Sequence, residues 1–413
     1  MFAMSRQKKI LTITIMCTAL VQMCFFALTP AIAKIKNEVF PHLSLSQIQT
    51  VLMAPSLISM GFSMLSAVLI GKNKISKKSV VVIGLSLLVL SGVLSLIFHT
   101  QFWHLIMLCA LVGMGAGMFI PAISSIMFDN FNEDERRTLT GYQTSFINLG
   151  GILLSAVSGF LITLVWYGGF VSMLIALPVL ILAAVAIPND KKAGAPARSA
   201  VAAAVKKTGM PRDVYYYAGL AGLFLFFYIV CSSNISTHID DAKIGNSATA
   251  GLVTAITMGG GVFSGLFFHK LSSKLGDYLI SLAYIVLFLG FTILNVGHHS
   301  LLMVMLGAFV VGTSMSMITP QCLFAVSNIV DPSNSASATS LIVSIAPGIG
   351  GFLSPIIITN LTTLLGGEST NFRFQFAGFM ALAVGLIVLA VTSRRQKLKE
   401  DGAVYAKLAA TKE

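Results

Sequence analysis

Three primary amides, Gln22, Asn234 and Gln321, stand inside stretches that are otherwise apolar. Each can donate two hydrogen bonds and accept on its carbonyl. An amide turned toward hydrocarbon would leave those groups unsatisfied, so all three are expected to face the interior, as ligand contacts or as ties between helices. A titratable cluster, His238, Asp240 and Asp241, closes one apolar run. Imidazole titrates near neutrality when unperturbed, and the two carboxylates favour its charged form. The cluster reads either as a proton-coupling site or as a solvated helix end. No metal-ligand spacing, phosphate-cradling glycine loop or nucleophile triad occurs, so neither a cofactor, nor a metal, nor an enzymatic activity is expected. No Asp, Glu, Lys or Arg lies near the middle of an apolar run. That argues against a multiply charged ligand and for a neutral, zwitterionic or amphipathic one.

The elements that must position these groups follow from composition. Of 413 residues, 56% are hydrophobic and 10% charged, against about 25% charged in a soluble domain. Runs free of Asp, Glu, Lys and Arg cover 10–33, 39–71, 79–128, 138–189, 214–239, 244–269, 278–330, 332–367 and 374–393. A membrane helix needs about 20 apolar residues. Three runs hold two spans each, divided at His99-Thr100-Gln101, Tyr167-Gly168-Gly169 and Gly297-His298-His299-Ser300. The fold class expected is therefore an all-α membrane protein of twelve transmembrane helices in two six-helix halves around a central cavity. The halves are 1–187 and 214–393, joined by a polar linker at 188–213 and followed by a tail at 394–413.

Of the 27 basic residues, only Lys34, Lys36, Lys243 and Arg373 fall on one side when the N-terminus is placed in the cytoplasm. Both termini are then cytoplasmic by the positive-inside rule. The net charge of +12 suits anionic headgroups rather than nucleic acid, which is not expected as a partner. Lys8-Lys9, an apolar stretch and Ala31-Ile32-Ala33 imitate a cleavable signal. The stretch exceeds the usual signal length and more spans follow, so an uncleaved first span is expected. All five cysteines lie within spans and read as small apolar fillers.

The halves repeat each other at an offset of 199 to 200 residues: Gly113 and Pro121 match Gly312 and Pro320, and Gly150-Gly151 matches Gly350-Gly351. Span five carries small or polar residues at Gly141, Ser145, Asn148, Ile152, Ser155 and Gly159, and span eleven carries their counterparts. Two parallel repeats around an axis normal to the membrane imply a transporter with its site where they meet. The stripes also allow close helix packing.

The segment Gly71-Lys72-Asn73-Lys74-Ile75-Ser76-Lys77-Lys78, its degenerate copy His269-Lys270-Leu271-Ser272-Ser273-Lys274-Leu275-Gly276, and Asp129-Asn130-Phe131 with Glu135-Arg136-Arg137 resemble the loop signatures of the major facilitator superfamily. The resemblance covers nearly all of the chain. It implies a gating role for Asn73, Lys74, Asp129, Arg136, Arg137 and Lys274, in a charge latch weakened by Asn73 standing where an acid is usual. Proton-coupled drug exporters of the superfamily carry an arginine where this chain has Cys109, and a G-x-x-x-G-P signature that Gly151–Ala156 lacks. In the family, spans one, four, seven and ten line the cavity. The resemblance therefore implies substrate contacts at Gln22, Phe25, Tyr228, Asn234, Gln321 and Phe324.

The function expected is secondary or facilitative transport of a small organic molecule by alternating access, with an apolar lining that favours efflux. Nutrient uptake by symport is the alternative. A lipid flippase or scramblase on the same fold is an alternative of another class, for which only Lys34 and Arg373 are basic at headgroup depth. The partners expected are that organic substrate, membrane lipids and a coupling proton, acting on a monomer in the plasma membrane.

Overall fold

The computed structural model describes residues 6–71, 74–188, 211–327, 329–330, 338 and 341–410, and every regular element in them is helical. We number α1 (Arg6–Ala19 with its continuation Cys24–Val39), α2 (Leu45–Gly71), α3 (Lys77–Ser95), α4 (Phe102–Asn130), α5 (Glu133–Leu164), α6 (Gly168–Ala186), α7 (Arg212–Asp241), α8 (Ser247–Leu275), α9 (Tyr278–Val296), α10 (Leu301–Ser327), α11 (the short helical pieces of 341–364) and α12 (Thr370–Ala410). Among the described residues ten helices are long and apolar enough to span a membrane, and the bent pair in α1 makes up to eleven. The expected twelfth, α11, consists of α-helical turns alternating with wider π-helical ones at Leu341–Ile345 and Pro355–Thr359. Pro347 and Pro355 there supply no backbone N–H. The expected linker lies almost wholly outside the described residues. α12 runs on as helix through the expected tail to Ala410.

The first span is not a straight helix. It bends by 40° at residues 20–23. Thr14 and Thr18 turn their hydroxyls back onto Ile10 O (2.9 Å) and Ile15 O (2.8 Å), a competition with the helical ladder that bends helices. Thr29 does the same to Phe26 O, beside Pro30.

Buried apolar side chains fall into two clusters, one drawn from residues 11–187 and the other from 214–388. The repeat read in the sequence recurs in packing. A Cβ on Gly113 of α4 would lie 2.7 Å from Pro55 O of α2, and one on Gly312 of α10 would overlap Thr257 O of α8. Likewise a Cβ on Gly150 would overlap Leu20 O at the break in α1, and one on Gly350 would overlap Gly222 O of α7. Only glycine lets these backbones approach so closely. α5 packs lengthwise on α8, and α2 meets α11, so the two six-helix sets touch along two seams.

Candidate functional site: the seam between the halves

Helices alternate in direction, so both chain ends and the α2–α3, α4–α5 and α8–α9 turns share one face, here the terminal face; the opposite one is the distal face. Exposure along the seam runs from one to the other. On α5, Ser145 is exposed, Asn148 and Ile152 are half-buried, Ser155 is fully buried, and Gly159 packs on Gly251. On α8 the same gradient runs from exposed His269 and Gly265 through half-buried Val262 to buried Met258, Thr254 and Gly251. The halves are sealed at the distal face and part toward the terminal face.

The seal is polar and buried. Gln49 of α2, fully buried, donates to Ser233 O (2.7 Å) and Asn234 Oδ1 (3.0 Å) of α7 and accepts from Thr359 Oγ1 (2.6 Å) of α11. Ser236 donates to Pro30 O (2.7 Å) and accepts from Ala33 N (3.2 Å). Asn37 donates to Asp240 Oδ2 (2.6 Å), and Ser46 to Pro355 O (3.3 Å). These bonds between the halves all lie toward the distal face. Above it a cavity of about 190 Å³ remains, bordered by Lys34, Glu38, Asp240 and Asn246 among others. It falls below the usual 300–1,000 Å³ of a small-molecule site.

The expected site residues divide between this seal and other places. Gln22 sits in the break of α1, buried, and its Nε2 has no hydrogen-bond partner among the described residues. Phe25, one turn on, is half-buried against the N-terminal cluster. Tyr228 is buried on α7, its ring stacked on Phe224 at 6.0 Å. Asn234 is part of the seal. Gln321 stands apart: it lies near the terminal end of α10, where it accepts from Ser272 Oγ (2.7 Å) and donates to Asp277 Oδ1 (3.4 Å), both within its own half. Phe324, one turn further, is 57% exposed. All three amides were expected to face the interior. The structure brings Asn234 into the seal, leaves Gln22 buried at the break in α1, and ties Gln321 to the α8–α9 turn.

Of the expected gating residues, Asn73 lies outside the described residues, and Arg136 and Arg137 occupy the first turns of α5. Lys74 and Lys274 are exposed, and Asp129 pairs with Lys77 within one half. Glu135 caps α5 with Asn132 and takes Lys8 Nζ at 2.8 Å. That ammonium's hydrogen bond, helped by the Asn132 N–H, holds the Glu135 carboxyl below its ordinary range.

The titratable cluster corrects the picture of a uniformly solvated helix end. His238 is 1% exposed, with Nδ1 3.0 Å from Thr370 Oγ1 and its ring edge-on to Phe374. Both partners are on α12, so the imidazole is packed inside the C-terminal half, whereas Asp240 and Asp241 are exposed. Arg373 is the larger correction. Expected at headgroup depth, it is 4% exposed, and its Nη1 donates to Asn234 Oδ1 (3.3 Å). Its position just before an apolar run hid this, because sequence cannot show that α12 leans on α7. Lys34, the other basic residue expected there, caps the end of α5 through Ile162 O (2.8 Å) and Thr163 O (3.1 Å).

The chain thus forms two glycine-matched helix sets that meet along a seam closed by hydrogen bonds at the distal face. The family model of the Major Facilitator Superfamily matches residues 11–355. The chain belongs to the major facilitator superfamily. It is an integral membrane protein of a transporter family. It is 25% identical over 347 residues to the quinolone resistance protein NorA of Staphylococcus aureus strain MRSA252, a match covering 80% of this chain and 84% of NorA. With NorA of strain COL the identity is 26% over 346 residues, with the same coverage. In fold it is similar to the nucleoside transporter NupG (TM-score 0.74, 12% identity, 92% of this chain and 98% of that one). It is also similar to the POT family transporter PepTSo (TM-score 0.72, 12% identity, 94% and 98%).

Proposed function

We propose that this transporter carries a small neutral, zwitterionic or amphipathic organic molecule across the cell membrane by alternating access, outward from the cytoplasm. The terminal face is then the cytoplasmic one, as the distribution of basic residues favours. The observation that carries the reading is the seam itself. It is sealed distally by mostly neutral hydrogen bonds, and its more exposed stretch offers small, apolar and neutral polar groups such as Gly265, Val262, Ile152, Asn148 and Ser145. An organic molecule entering from the terminal face meets that surface first, and burying its apolar part there supplies affinity without a fixed counter-charge. Gln22 is the polar handle: its buried Nε2 lacks a partner at a break in the helix, and discontinuous helices are where carriers place their sites. The resemblance to quinolone resistance proteins supports the outward direction. Phe25 and Tyr228 add apolar walls, and the two halves, 1–187 and 214–393, move as units.

The flippase alternative loses ground, because Lys34 and Arg373 are engaged by α5 and Asn234 rather than free for headgroups. The test is transport into inside-out membrane vesicles, with a fluoroquinolone and an amphipathic fluorescent cation as probes. Accumulation of either, reduced several-fold by Gln22→Leu at equal protein level, supports export through this seam. Accumulation only in right-side-out vesicles turns the reading to uptake.

A further inference from the structure

Arg373 is a strongly basic group drawn into the distal seal, and its surroundings do not suit it. A guanidinium offers five N–H donors and stays charged in proteins. This one makes a single 3.3 Å bond to an uncharged amide oxygen, and its buried Nε has no partner. No carboxylate among the described residues lies within ion-pair distance. Asp241 and Glu368 act on it only through space. A buried charge without a bonded counter-ion carries a large desolvation penalty. The surrounding contacts show that this penalty belongs to one conformation. Arg373 Nη1 and Gln49 Nε2 converge on the same Asn234 Oδ1 from opposite halves. Withdrawing α2 from α7 removes the lid over this group and lets water reach it.

Does Arg373 hold the seal or oppose it? Asn234 does not need Arg373 for its orientation, since its own Nδ2 donates to Val230 O (2.9 Å) and Ser233 Oγ (3.2 Å). Gln49 in turn keeps its bonds to Ser233 O and Thr359 whatever Arg373 does. The guanidinium therefore adds one long bond to the sealed state and a large penalty, and the penalty wins. We infer that Arg373 is a charged spring in the distal seal: its buried, unneutralised guanidinium raises the free energy of the sealed state and drives the distal face open. A carrier whose distal seal rested on Gln49, Ser236 and Asp240 alone would stay shut too long on that side; the spring restores the balance that turnover needs.

The inference rests on the alternating-access reading, and the experiment separates the two. Spin labels at His42 and Thr363, exposed on either side of the α2–α11 seam, report the distal opening as a distance distribution in reconstituted protein. Wild type is expected to show a short and a long population. Arg373→Met, and Arg373→Gln as a second variant should the first fold poorly, are expected to raise the short-to-long ratio about five- to tenfold, within the usual range of conformational coupling. Arg373→Lys keeps the charge and stays near wild type. Gln49→Leu moves the ratio the other way. A role in packing alone would move the arginine and glutamine variants in the same direction, which overturns the proposal. So does a two-population wild type whose ratio Arg373→Met and Arg373→Gln leave in place. A single short distance in wild type and every variant overturns alternating access itself, and the spring with it.

Discussion

The two faces of this carrier are joined by different chemistry. At the distal face the bonds cross from one half to the other, and most are uncharged and buried: amide to carbonyl, hydroxyl to amide, hydroxyl to backbone. At the terminal face the ion pairs Lys8–Glu135, Lys77–Asp129 and Arg395–Asp213 are partly exposed, and each stays within one half. The contrast follows from what each contact must do. Neutral groups can part and meet again in a low-dielectric seam without stranding a full charge each time. Partly exposed ion pairs are worth little individually, and holding loops to their own half asks little of them. Among the described residues the seam is held mainly by neutral bonds, and each of these ion pairs stays within its own half.

Four changes test that contrast. The largest effect is expected where the seam has no room. A leucine at Gly251 would drive its side chain into Ser155 and Gly159 of the other half. Gly251→Leu is expected to abolish vesicle transport while protein level is kept. Gly265→Ala, whose new Cβ meets nothing nearer than 3.9 Å, keeps it. Equal loss in both would remove the distinction between the sealed and parted ends.

Next comes Gln49→Leu, which deletes the Gln49 bonds from α2 to α7 and to Thr359 of α11 while the Ser46–Pro355 bond remains. Membrane side-chain hydrogen bonds are worth about 0.6 kcal/mol on average and up to about 1–2. A shift of about 1–2 kcal/mol toward the distally open state is therefore expected. Faster amide exchange in α7 around residues 233–240 measures it, and unchanged protection there would show that apolar packing alone closes the face.

A smaller effect concerns coupling. We assign any proton coupling in the His238 cluster to Asp240, which spans the seam to Asn37, and treat His238 as a packing group of the C-terminal half. In proteoliposomes with an imposed pH gradient, Asp240→Asn is expected to cut gradient-driven accumulation several-fold and His238→Gln to leave the gradient dependence as in wild type. The reverse result moves the coupling site to the imidazole.

The smallest effect is at the terminal face. Lys8 holds Glu135 below the ordinary carboxylate range. Its contribution to stability is thus complete above that range and disappears as the pH falls through the lowered value. Glu135→Gln should flatten the acid limb of a thermal-unfolding series slightly and leave transport at neutral pH unchanged.

The membrane class, the places of ten helices and the internal repeat were legible in the sequence. Each depends on properties that a helix carries alone: length of apolar run, absence of charge, and glycines at a fixed offset. The break at residues 20–23 was not read, though Thr14, Thr18 and Gln22 stood in view, because a threonine's choice between helix carbonyl and cavity depends on its neighbours. Asn234 was found as an interior amide, yet its partner Gln49 was passed over in a run judged simply apolar. Gln321 and Arg373 show the limit most sharply. One was expected in the cavity and is tied to the α8–α9 turn; the other was expected at the surface and is buried. A one-dimensional pattern fixes which groups lie in or beside the membrane, since that is set by transfer free energy along the chain. Which of them meet across the seam depends on how α2, α7, α11 and α12 lean together, contacts between elements far apart in the chain.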